Sequence, residues 1–134
     1  MKKRIVLFLI DGCRPDSLKL AKTKNIDSLI ENGSYLEGRT VFPSVTLPCH
    51  TSLIFSVPPE RHGITINTWM PPVRPIKGLF DIIHENGLST SFFYSWGELR
   101  DLAGYKSLNV SIFINRYTNE NYVKKVGDAA KEYL

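Results

Sequence analysis

A carboxylate and a hydroxyl occupy two points of this sequence where metal or phosphate chemistry would want them. Asp11 follows the apolar run Ile5-Val6-Leu7-Phe8-Leu9-Ile10 and precedes Gly12. Thr46 lies within Val41-Phe42-Pro43-Ser44-Val45-Thr46-Leu47-Pro48-Cys49-His50. The apolar run reads as a strand buried on both faces, and Asp11 falls where it ends, at the edge where open α/β sheets gather their ligands. Thr46 is the predicted N-cap of a helix, where unpaired N–H groups and the positive end of the helix dipole favour an anion. A threonine hydroxyl is a poor nucleophile at its ordinary pKa, and a bound cation is one way to make it an alkoxide at neutral pH. Each residue also has a plainer reading as a helix or turn cap.

The elements that must position these residues alternate between strand and helix, the pattern of an α/β domain with a largely parallel sheet flanked by helices. After the first strand, Ile26, Leu29 and Ile30 share one face of a short helix that Asn32-Gly33 ends. Tyr35 to Phe42 is a second extended segment. Leu47 to Phe55 suits a helix starting at Thr46, with Pro48 tolerated in its first turn. From Pro58-Pro59 to Pro75 the chain is irregular, and long loops in a compact domain tend to be functional. Leu79, Phe80, Ile82 and Ile83 mark another helix, closed by Asn86-Gly87. Leu88–Ser95 and Asn109–Ile114 read as strands. From Tyr122 to Leu134 the apolar residues keep helical spacing, and no Gly, Asn or Pro closes that helix. The whole, residues 1–134, is expected to be a single, incomplete domain.

Composition bounds the class. At 134 residues, 43% hydrophobic and 22% charged, this is an ordinary globular sequence. The net charge of +4 is scattered, and no basic stripe with interleaved aromatics marks a nucleic-acid-binding surface. A mild positive balance suits an anionic substrate. The apolar run after Lys2-Lys3-Arg4 is too short for a signal peptide, and nothing approaches the ~20 apolar residues of a membrane span. These features imply a cytoplasmic protein with no membrane association. Cys13 and Cys49 lack metal or disulfide spacing and read as reduced thiols.

Three motifs together resemble the type I phosphodiesterase/nucleotide pyrophosphatase family of the alkaline phosphatase superfamily. They are Ile10-Asp11-Gly12 with Arg14-Pro15-Asp16, then Phe42-Pro43 leading to Thr46-Leu47-Pro48-Cys49-His50, and Pro59-Glu60-Arg61-His62-Gly63-Ile64. The resemblance covers about half the chain, from Ile5 to Asn67. It implies the N-terminal part of an alkaline-phosphatase-like fold and a metal-dependent hydrolase of phosphodiester or nucleotide pyrophosphate bonds. Asp11 would be a ligand of one zinc, and Thr46 both the nucleophile and a ligand of the same zinc. Asn67 would hold a phosphate oxygen. An amide suits that task, because its NH₂ donates to developing negative charge without adding a titrating group. The reaction implied is a two-metal transfer through a phosphothreonine intermediate, acting on a small phosphodiester or nucleotide.

His50, His62 and His84 are not expected to bind zinc, since none has the partner spacing that zinc takes. His62 reads as a support for its loop, and His84 as an exposed helix residue. Locally, Cys49 replaces a common Asn, and Ser56-Val57 replaces the Gly that often ends the nucleophile helix. The larger departure is that the Asp-x-x-Gly-His and Asp-His-Gly motifs, which complete the family's two zinc sites, are absent. The 134 residues alone are therefore expected to hold zinc weakly and to turn over little or nothing. The aromatic strand at Phe92-Phe93-Tyr94 and the helix end at Tyr133-Leu134 are expected to expose an apolar face that favours self-association. Two other readings stand beside this one. The first is a phosphonate or phosphomonoester hydrolase of the same superfamily, and the second a non-catalytic α/β domain with an anion pocket at the Thr46 helix.

Overall fold

A computed structural model describes residues 4–134, which divide into two compact units between Arg39 and Thr40. The first unit contains two short helices, α1 (Pro15–Leu20) and α2 (Lys24–Asn32), neither with a buried residue. Proline at the first position and Asp16 in the first turn favour the start of α1, a helix not evident in the hydrophobic pattern. The second half of this unit is held at its surface, where Glu37 accepts from Lys19 Nζ and from the Tyr35 hydroxyl, each at 3.1 Å.

The strand expected at Ile5–Ile10 does not form. Its residues take no regular structure and their side chains are exposed, Ile5 by 95% and Phe8 by 74%. An apolar run becomes a buried strand only when other strands pair with it and layers cover both faces. Hydrophobicity records that potential and not the partners. The same holds for Tyr35–Phe42, which contains no strand.

The second unit carries the core. Helix α3 (Thr46–Phe55) runs through it and buries Leu47, Thr51, Ile54 and Phe55. These pack with Ile64 from the following loop, Phe80 from α5 (Leu79–Glu85) and Leu102 from a 3₁₀ helix (Gly97–Leu102). Leu47 and Ile64 are wholly enclosed. A single turn, α4 (Pro59–His62), precedes Ile64, with Pro59 at its first position and Gly63 at φ +78° closing it. At the start of α5 the Asp81 carboxylate accepts the Gly78 N–H at 2.9 Å, and a Cβ at Gly78 would stand 2.6 Å from the Phe55 ring.

Strands β1 (Ser91–Tyr94) and β2 (Val110–Phe113) pair in parallel, with Ser91 opposite Val110 and Tyr94 opposite Phe113. Among the described residues this two-stranded sheet is the whole of the β structure. The architecture is thus mixed α/β with parallel pairing as expected, in a sheet smaller than expected. Both strands fall inside the predicted ranges and are shorter. Parallel strands need a crossover, and here the 3₁₀ helix lies in it and brings Leu102 to the core.

The aromatic strand is not left bare. Phe93 meets Tyr133 beyond α6 (Tyr122–Lys131) at 5.5 Å between ring centroids, and Phe92 lies between Phe80 and Tyr94 at 5.2 and 4.8 Å. Tyr94 is buried. Of the surface expected to be apolar and exposed there, Tyr133 and Leu134 at the helix end remain about half exposed.

Candidate functional site

Asp11 lies in the first unit, at the second position of a turn closed by the Cys13 N–H on the Ile10 carbonyl at 3.3 Å. Gly12 takes φ +70° at the third position, a conformation that glycine adopts without steric cost. Asp11 is exposed and stands after an irregular segment instead of at a strand end.

Thr46 and Asn67 both lie in the second unit. Val45, extended at φ −109° and ψ 162°, is the N-cap of α3, one residue earlier than the cap expected at Thr46, which is the first helical residue. The helix start is largely occupied by the chain itself. The Cys49 N–H bonds the Val45 carbonyl at 3.2 Å, Pro48 has no N–H, and the Leu47 N–H donates to Asn67 Oδ1 at 2.9 Å. With its oxygen so engaged, Asn67 has its NH₂ as the group left to donate. The sequence placed this amide near the nucleophile by resemblance, but the bond to Leu47 carries no signal in residue type or spacing.

The histidines divide by environment. His50 turns back on its own helix, with Nδ1 2.8 Å from the Thr46 carbonyl. His84 is exposed on α5. His62 is buried and bonded at both ring nitrogens. Nδ1 accepts the Ile64 N–H at 3.1 Å, so the proton of the neutral ring lies on Nε2 and is donated to Ser52 Oγ at 2.9 Å. Burial pushes its pKa below the ordinary imidazole value, against the smaller upward pulls of Glu60 and the Pro48 carbonyl. Ser52 and His62 do not form a nucleophile and base, because the histidine donates to the hydroxyl instead of accepting from it.

The loop that carries Asn67 is fixed on its far side as well. The Trp69 N–H donates to Glu98 Oε2, in the 3₁₀ helix, at 3.0 Å. The Trp69 ring meets Phe55 edge-on, 6.3 Å between centroids. Neither Ser52 nor Glu98 was marked as part of the site by the sequence, and both act on it through its frame.

Asp11 offers a carboxylate and Thr46 a hydroxyl oxygen, both donors that zinc accepts, and a catalytic zinc takes three protein ligands. Among the described residues no group of three or more His, Cys, Asp or Glu could hold a metal ion.

The family model of the type I phosphodiesterase / nucleotide pyrophosphatases matches residues 5–113, through both units and all three motifs. The chain belongs to this family. It is also similar to a Schizosaccharomyces pombe protein named as an uncharacterized pyrophosphatase/phosphodiesterase, with 34% identity over 70 residues. That match covers 52% of this chain and 14% of the relative's length. No solved structure matches the chain. No helix among the described residues of this phosphodiesterase-family chain is long and apolar enough to cross a membrane.

Proposed function

We propose that these residues carry the nucleophile side of a hydrolase acting on phosphodiester or nucleotide pyrophosphate bonds. Thr46 Oγ1 attacks phosphorus in line and gives up its proton as the P–O bond to the leaving group breaks and the leaving oxygen is protonated; water then cleaves the phosphothreonine, one of its protons returning to Thr46 as the phosphate monoester is released. Asn67 donates its NH₂ to a phosphate oxygen as charge develops there. Asp11 and Thr46 are the zinc ligands this chain contributes, and the remaining ligands of two zinc ions are assigned to sequence outside it. Zinc, when bound, supplies Lewis-acid stabilisation and lowers the pKa of a coordinated hydroxyl. Because the family match runs through both units, they are taken as parts of one domain.

The observation that carries this reading is the bond from Leu47 to Asn67. In a chain of this family it sets an oriented amide beside the residue that follows Thr46. The test uses the natural polypeptide that contains these residues, supplied with zinc, and bis(p-nitrophenyl) phosphate. Thr46→Ala should lower kcat by about a thousandfold or more, and rapid quench of the wild type should trap phosphate on Thr46. Undiminished turnover by Thr46→Ala would overturn the assignment.

A further inference from the structure

Two hydrogen-bonded ties hold the segment from His62 to Asn67 against α3. One runs from the His62 Nε2–H to Ser52 Oγ, and the other from the Leu47 N–H to Asn67 Oδ1. Between them, His62 Nδ1 accepts the Ile64 N–H, and Ile64 is wholly buried in the core. The ring of contacts closes only with a neutral imidazole. A second ring proton would sit on Nδ1 and face the Ile64 N–H, setting donor against donor.

We propose that His62 is a positioning residue: its neutral ring clamps the segment that carries Asn67 to α3, and protonation of that ring releases Asn67 from Leu47. The part played by Asn67 in turnover rests on the function proposed above, whereas the clamp does not. Burial of the ring already favours its neutral form. The groups that bear on its charge are few. Glu60 lies on the same short helix, and Arg61 and Arg74 line the groove beside it. On α3 the titratable side chains are Cys49 and His50, and His50 is turned to the Thr46 carbonyl.

The experiment compares wild type, His62→Gln and His62→Ala in the natural polypeptide. A glutamine amide spans the same two positions, with its carbonyl in place of Nδ1 and its NH₂ in place of Nε2, and it does not titrate. Two quantities are followed from about pH 8 to about pH 5, across the histidine range. They are the hydrogen-exchange protection of the Leu47 amide, corrected for intrinsic exchange, and kcat on bis(p-nitrophenyl) phosphate. In the wild type both should fall about tenfold or more with the titration of His62. In His62→Gln both should stay level, and in His62→Ala Leu47 should be poorly protected at every pH. A pH-independent Leu47 protection in the wild type would overturn the proposal, as would an equal acid loss in His62→Gln. If Leu47 behaves as expected and no form cleaves the diester, the clamp stands and the proposed function fails.

Discussion

Asn67 Oδ1 accepts the backbone N–H of Leu47 at 2.9 Å, so the amide is tied to the residue that follows Thr46. The bond does two things at once. It satisfies an N–H that the helix start leaves without an intrahelical partner, and it decides which end of the amide is left to donate.

Asn67→Asp separates those two functions. A carboxylate oxygen still accepts the Leu47 N–H, but the donor is replaced by an acceptor and a negative charge beside an anionic substrate. We expect kcat/KM to fall by about a hundredfold or more, with little change in thermal unfolding temperature. Steady-state kinetics and calorimetry on the same preparation check this.

Gly78→Ala probes the packing of α5 on α3. Its Cβ would lie 2.6 Å from Cδ1 and 2.8 Å from Cε1 of Phe55, a buried ring that also meets Trp69. The expected cost is about 1–3 kcal/mol, measured by urea unfolding. A neutral result would mean that the ring has room to move.

Ser56 is the position where the sequence departs from the usual glycine at the end of the Thr46 helix. It takes φ 56° and ψ 33°, the left-handed conformation that strains any residue with a Cβ. Ser56→Gly should stabilise the protein by about 0.5–1 kcal/mol, the relief of strain being offset in part by the greater freedom of glycine in the unfolded chain. Paired unfolding curves would show it.

The buried imidazole of His62 also makes stability depend on pH. Its folded pKa lies below the ordinary 6.5, so on acidification the unfolded chain takes up this proton first. Stability rises with pH wherever the unfolded state binds more protons. The contribution of His62 is therefore complete above pH 6.5 and is lost as pH falls from there toward the depressed value. His62→Gln should flatten the unfolding temperature across that window, which differential scanning calorimetry in overlapping buffers can measure.

Helices with a strong apolar period and an Asn-Gly close were legible in the sequence, as α2 and α5 illustrate. Thr46 at the head of α3 was legible to within one residue, because Val45 and not Thr46 is the extended cap. The Ile5–Ile10 run was misread as a formed strand, since a strand is defined by pairing that no local pattern records. Helix α1 is not legible because its six residues carry only Leu18 and Leu20 as apolar positions, too few to show a helical period. The clamp at His62 was only half legible. The residue read as a loop support, but its partner Ser52 lies ten residues earlier, on a helix face known only once the chain has folded.

Ile64 and Trp69 are both anchored, the first through its N–H on His62 and the second through its N–H on Glu98. Asn67 thus rides on a short span fastened at each end, much as a plank rests on two piers. The conformational entropy of that span has already been given up in folding and need not be lost again when an anion arrives. Loosening either pier, by Glu98→Ala as readily as by His62→Ala, would restore that entropy to the span, and under the function proposed above the loss would be felt at an exposed amide neither residue bonds directly.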